Sequence, residues 1–223
     1  MEGKAPVEIL GKRIERVSRY GKFIVVHFAD GLLFVHLGMT GQFTLSEESG
    51  KFTRGRIVLD EGVLRYDDIR KFGRMLWNLE YPKRGPDPLE IDAREFVERA
   101  KSRRTRIKAV LLDQSFLRGM GNIYADESLF RAGIHPLASA AKVSRARLQR
   151  LHEVMVEVLG EAVAAGGSSI SDYVNAAGER GGFQELHRVY GKHGQPCPNC
   201  GSILLRTLVV QRGTTYCPAC QKR

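Results

Sequence analysis

Gly119-Met120-Gly121-Asn122-Ile123-Tyr124-Ala125-Asp126-Glu127 is the stretch on which the reading of this chain turns. Two glycines allow a turn to come close to a neighbour, and Asn122 stands where a helix begins, with free backbone N–H groups behind it. Such a helix start suits an anion such as a DNA phosphate. An ordinary capped helix joined by a tight turn would read the same way. Helical periodicity surrounds the stretch. Asp92 to Lys101 opens on an acidic N-cap and buries Phe96, Val97 and Ala100, and Thr105 to Asp113 carries Ile107, Val110, Leu111 and Leu112. Asn122 to Ala132 follows. Ser144 to Ala165 then lines up Leu148, Leu151, Met155, Val158, Leu159 and Ala162 before Gly166-Gly167 stops it.

Downstream, the four cysteines of the chain fall in its last 27 residues, as Cys197-Pro-Asn-Cys200 and Cys217-Pro-Ala-Cys220. The pattern C-x2-C, 16 residues, C-x2-C is that of a four-thiolate zinc site. Four Cys ligands leave no open position on the metal, so the expected zinc is structural. Two disulfides or a redox motif are the alternatives, and a reducing compartment and the tail position speak against both. Between the pairs, Leu204 to Val210 reads as a strand, Gln211-Arg212-Gly213 as a turn, and Thr214-Thr215-Tyr216 as the return. From Leu186 to Arg223 there is no acidic residue, against six Lys and Arg. Arg212, at the expected loop tip, is either a phosphate ligand or a solvated surface residue.

Upstream, Phe23 to Phe28, Leu32 to Leu37, Arg56 to Leu59 and Val63 to Tyr66 are β-branched or aromatic runs punctuated by Asp30-Gly31, Gly38, Gly41 and Glu61-Gly62. They suggest part of a β-sandwich. The proline-rich connector Tyr81 to Pro88 marks a boundary. Across 223 residues, 35 Lys and Arg face 25 Asp and Glu, for a net charge of +10. A polyanionic partner fits that excess, and nucleic acid is the commonest. No run is apolar and long enough to span a membrane, and the start lacks the apolar core of a secretion signal, so a cytoplasmic protein is expected.

Taken together, these blocks resemble the formamidopyrimidine-DNA glycosylases (Fpg), a bacterial base-excision repair family that removes oxidised purines such as 8-oxoguanine and then cleaves the abasic strand. The resemblance runs from about Gly11 to the C-terminus. It includes His36-Leu37-Gly38-Met39-Thr40-Gly41, Asp68-Ile69-Arg70-Lys71-Phe72-Gly73, Gly85-Pro86-Asp87-Pro88-Leu89, Gly133-Ile134-His135-Pro136 and Glu185 to Gly191. It implies an α+β fold: a partial N-terminal β-sandwich over 1–88, a helix–two-turn–helix domain over 89–185 and a zinc-finger β-hairpin over 186–223.

The resemblance also implies roles. Met39, Arg70 and Phe72 would fill the gap left by an extruded base. Asn122, with Tyr124, would grip phosphates beside the lesion, and Arg103 and Lys108 would contact DNA. Arg212 would hold the lesion's phosphate and serve the second elimination. Residues 173 to 183 match the element that closes over the flipped base. The implied partner is double-stranded DNA with oxidised purines or abasic sites, bound by a nucleoid-associated monomer that could dimerise through an exposed sheet edge. Cys197, Cys200, Cys217 and Cys220 would hold one zinc ion.

At the N-terminus the chain departs from the family, which starts with Pro-Glu, the proline amine attacking the sugar C1′. Here the opening is Met1-Glu2-Gly3, with Pro6 internal. Lys22 matches the family's active-site lysine. Excision is therefore expected to be impaired in a chain that begins at Met1. The alternatives are a damaged-DNA-binding protein that does not excise, or a residual abasic-site lyase acting through Lys22.

Overall fold

A computed structural model of the chain describes residues 7–169 and 179–223. The expectations placed on residues 1–6, and on 173–178 of the closing element, lie outside the described residues. The chain forms two compact units, one comprising residues 1–82 and 165–184, the other 83–164 and 185–223.

Among the described residues of the first unit, seven strands make two antiparallel sheets. The four-stranded sheet has the order β1 (Arg16–Tyr20), β2 (Phe23–Phe28), β3 (Gly31–His36), β7 (Arg74–Asn78), and the three-stranded one β4 (Gly41–Leu45), β6 (Gly62–Asp68), β5 (Thr53–Leu59). Strand alternation gives the larger sheet two apolar faces. Ile24, Val26, Phe28, Leu33, Val35, Met75 and Trp77 form one, and Phe43 of the other sheet packs into it, closing the sandwich. On the opposite face Tyr20, Phe23, Phe34 and Tyr81 meet edge-on, with ring centroids 5.0–6.3 Å apart. Strands β1, β4 and β7 are additions to the sequence reading.

The second unit is helical: α1 (Ala93–Lys101), α2 (Ile107–Leu112), α3 (Asn122–Arg131) and α4 (Arg145–Ala164), followed by the hairpin β8 (Leu205–Val209) and β9 (Arg212–Tyr216). Asp92 is the N-cap of α1, its Oδ1 accepting from the Glu95 N–H at 2.9 Å. Helix α2 is shorter than the run from Thr105 suggests. The core joins all four helices through Phe96, Ile107, Leu111, Leu129, Leu148, Leu151 and Met155. A second cluster, Phe130, Val189, Cys197, Leu204 and Cys217, fastens the cysteine module to the end of α3. Among the described residues no helix is long and apolar enough to cross a membrane.

Candidate nucleic-acid interface

In the first unit, the site is organised by a carboxylate. Asp68, at the end of β6, is 1% exposed. Its Oδ1 accepts from the Thr40 hydroxyl at 2.6 Å and the Arg70 N–H at 3.2 Å, and its Oδ2 from the Gly73 N–H at 2.8 Å and the Tyr66 hydroxyl at 3.2 Å. Burial alone would raise its pKa, but these hydrogen bonds outweigh that and hold it below the usual carboxylate value. Tyr66 is pushed the other way, by burial first and by the charge of Asp68 second. Arg70 N–H also donates to Thr40 Oγ1 at 3.0 Å, so one hydroxyl and one carboxylate tie the loop after β3 to the loop after β6. Gly38 (φ 71°) lets the first loop lie against the second; a Cβ there would come within 2.8 Å of the Phe72 carbonyl carbon.

The result is a single exposed cluster. Met39 is 61% and Phe72 51% exposed, which places both outside the core. The Arg70 guanidinium lies 4.8 Å from the Phe72 ring centre and donates to Met39 Sδ at 3.4 Å. Lys71, between them, has φ 56°, a left-handed conformation uncommon outside glycine. Asp68 and Thr40 were missed as positioning residues. A Thr following Met39 and an Asp two residues before Arg70 were the available signal.

Lys22 sits apart from this cluster in sequence, in the two-residue turn Gly21-Lys22 that joins β1 to β2, with Tyr20 paired to Phe23. Its side chain is exposed, and Arg19 donates to the Gly21 carbonyl at 3.1 Å on the same turn.

In the second unit, α2 and α3 are joined by two turns. Gln114 organises them: its amide donates to the Leu112 and Met120 carbonyls at 3.0 and 3.2 Å and its Oε1 accepts from the Gly119 N–H at 2.8 Å. Gly121 is the N-cap of α3 and makes no side-chain cap, which leaves first-turn N–H groups without intrahelical partners. Asn122 Nδ2 donates to the Gly213 carbonyl at 2.9 Å. Tyr124 is half-buried and packs on the helical core. Arg103 is part-exposed, its Nη1 3.6 Å from Asp113.

Lys108 requires a correction. Read as a cation facing DNA, it is in fact 0% exposed. Its ammonium pairs with Asp126 Oδ1 at 2.6 Å and donates to Thr214 Oγ1 at 2.7 Å and the Gly213 carbonyl at 3.2 Å. Asp126 Oδ2 accepts from the Thr215 N–H at 3.2 Å. Burial pushes Asp126 up to about 6, with Lys108 pulling back down, and lowers Lys108. Beside this pair, Glu127 is also fully buried and accepts from three consecutive backbone N–H groups, of Arg188, Val189 and Tyr190, at 2.8–2.9 Å.

The hairpin turn differs too. It is Val210-Gln211, with φ 46° and 58°, one step before the glycine-based expectation, and Arg212 is already the first residue of β9, paired with Val209. Two successive left-handed residues make a type I′ turn. Arg212 remains exposed beside that turn.

The cysteines meet as expected. Their four sulfurs lie within 4.8 Å of one another, with 3.9 Å between Cys197 and Cys220 and 3.5 Å between Cys200 and Cys217. A Zn–S bond of about 2.3 Å requires tetrahedral edges of about 3.8 Å, so the quartet fits zinc. Backbone N–H groups of Asn199 and Cys220 donate to Cys197 and Cys217 sulfurs at 3.4 and 3.3 Å, stabilising thiolate charge.

Comparison with known proteins gives this geometry a lineage. Residues 3–75 match the formamidopyrimidine-DNA glycosylase N-terminal domain, 84–174 the formamidopyrimidine-DNA glycosylase H2TH domain, and 194–223 a zinc finger found in FPG and IleRS. A formamidopyrimidine-DNA glycosylase of Solibacter usitatus is 50% identical over 220 residues, covering 96% of this chain and 83% of the relative. The chain belongs to the formamidopyrimidine-DNA glycosylase family. Another Fpg, from Bacillus cereus, is 42% identical over 96% of this chain and 82% of its own length. Among solved structures, the MutM (Fpg) protein of Thermus thermophilus superposes with a TM-score of 0.87 at 41% identity, over 95% of this chain and 84% of that one. Lactococcus lactis Fpg in complex with abasic-site DNA gives 0.87 at 34% identity, over 97% and 84%. The four-cysteine cluster of this Fpg-family chain is accordingly a structural zinc finger.

Proposed function

We propose that this chain is a DNA glycosylase of base-excision repair, that its substrate is duplex DNA carrying oxidised purines or abasic sites, and that it also cleaves the abasic strand as a lyase. The observation that carries the reading is the exposed Met39/Arg70/Phe72 cluster, held by a buried carboxylate in a chain half identical to a curated Fpg. Extruding a base leaves a gap in the stack. Met39 and Phe72 are apolar wedges for that gap, and the guanidinium between them can hydrogen-bond the orphaned partner base.

In the helical unit, the α3 start with Asn122 and Tyr124, together with Arg103, receives backbone phosphates, and Arg212 presents its planar fork to the phosphate at the lesion and serves the second elimination. Lys108 acts as a positioning residue: buried under Gly213 and Thr214, it sets the strand that carries Arg212. The three-part division 1–88, 89–185, 186–223 separates lesion reading, phosphate grip and zinc-held clamp. Zinc, when bound, supplies fold rather than chemistry.

For strand cleavage the amine of Lys22, in the β1–β2 turn, is the nucleophile. It condenses with the C1′ aldehyde of a ring-opened abasic site, expelling water and leaving an imine. Loss of a C2′ proton then expels the 3′ phosphate, and hydrolysis of the imine returns the lysine. Borohydride trapping tests this: an abasic duplex should give a covalent adduct with the wild type and not with Lys22→Ala. Undiminished trapping in Lys22→Ala would reassign the lyase amine. A protein that neither excises 8-oxoguanine nor prefers lesion-bearing duplex would overturn the glycosylase reading.

A further inference from the structure

The tip of the zinc hairpin carries a feature that phosphate gripping does not use. Val210 holds φ 46° and Gln211 φ 58°. A β-branched residue in the left-handed region is a conformational outlier, and type I′ turns strongly favour Asn-Gly or Gly-Gly instead. The side chain is not retained for packing, since Val210 is 63% exposed and its neighbour Leu208 61%. Strain kept at an exposed position points to a use for the side chain itself.

The mounting is rigid. Two residues beyond the turn, the Gly213 carbonyl accepts from both Lys108 and Asn122, and two residues further the Thr215 N–H donates to Asp126. The module is cationic throughout, with Arg188, Lys192, Arg206, Arg212, Lys222 and Arg223 and no acidic residue from Leu186 to the end. Charge complementarity therefore selects a polyanion, and the apolar tip must meet the uncharged part of it.

We propose that Val210, flanked by Leu208, is a DNA-contacting residue that seats against deoxyribose carbons and base edges in a groove, beside the phosphate held by Arg212. The inference rests on the DNA-binding part of the proposed function. An apolar contact adds affinity without releasing counterions, whereas a Lys or Arg on phosphate contributes to the salt dependence.

The test uses the full-length zinc-loaded protein and a duplex with a tetrahydrofuran abasic analogue. Val210→Asn keeps the turn and improves its propensity while removing the apolar group. Binding should weaken roughly tenfold, with unchanged zinc content, an unchanged or higher melting temperature, and an unchanged slope of log Kd against log salt. Arg212→Ala should instead reduce that slope by about one. Val210→Ile should bind like the wild type. Equal affinity of Val210→Asn and wild type would overturn the proposal while leaving the DNA-binding reading intact. Loss of a self-associated species in Val210→Asn, with DNA affinity unchanged, would also overturn it, marking the tip as a contact between copies. Absence of duplex binding by the wild type would sink the parent reading itself.

Discussion

Removing Lys108 tests whether its burial is structural. In Lys108→Met the Asp126 carboxylate, almost wholly buried, loses the ammonium at 2.6 Å and, among the described residues, keeps the Thr215 N–H at 3.2 Å. Breaking a buried pair from one side costs about 3–5 kcal/mol. The cost should also depend on pH. Wild-type Asp126 titrates near 6, so above that value its contribution is flat. Without Lys108 its folded pKa rises further. The native variant then holds a proton that the unfolded chain, titrating near 4, has released, so stability falls as pH rises. Between pH 6 and 8 the deficit of the variant should grow by up to about 1.4 kcal/mol per unit. The double variant Lys108→Met/Asp126→Leu should recover much of the loss. About 1–3 kcal/mol would remain for the orphaned Thr215 N–H, while Gly213 keeps Asn122 and Thr214 keeps the Arg212 carbonyl. Urea unfolding read by hydrogen exchange on α3 reports the helical unit, and fluorescence of the single tryptophan, Trp77 in β7, reports the sandwich as an internal control. A Lys108→Met cost below about 1 kcal/mol at pH 8, with no pH trend, would refute the argument.

Three further outcomes follow from the same structure. Asp68 has a depressed pKa, so its contribution is present above about pH 4 and is lost as pH falls through the folded value; in Asp68→Asn, acid titration of the sandwich, followed by Trp77 fluorescence, should lose that part of its slope, and lesion-duplex binding should weaken roughly tenfold or more. Gly73→Ala places a Cβ 1.6 Å from the Tyr66 hydroxyl oxygen, and should cost about 3 kcal/mol, lowering the sandwich melting temperature by roughly 10–20 °C, with partial rescue by Tyr66→Phe. Stripping zinc with a chelator should abolish duplex binding and exchange protection in β8 and β9, while leaving the Trp77 transition unchanged.

The sequence was most legible where a local rule operates. Asp92 caps α1, Gly166-Gly167 follows α4, and the cysteine spacing brings four sulfurs together, each within a short stretch. Strands β1, β4 and β7 escaped because their evidence is non-local. Arg16-Val-Ser-Arg-Tyr is polar by composition and is an edge strand, and β7 exists through pairing with β3, some forty residues earlier. The hairpin turn was misplaced because Gly213 is the obvious turn residue; its carbonyl is instead claimed by Lys108 and Asn122, and the register moves the turn to Val210-Gln211. Lys108 was misread for a related reason. A basic residue in a basic segment signals surface, and the partners that make its burial possible, Asp126 on α3 with Gly213 and Thr214 on β9, lie elsewhere in the sequence.

Glu127 gives the metal site a history before the metal arrives. Its carboxylate moors the amides of residues 188–190, just ahead of the first cysteine pair. At the far end, Gln221 accepts from the Cys217 N–H and donates to the Ile134 carbonyl, and the backbone of Lys222 bonds Gly133 and His135. None of these bonds requires zinc. A chain that has lost its ion, and with it the order of β8 and β9, is therefore still moored on either side of them, so capture of a new ion refolds a short span between two anchored ends.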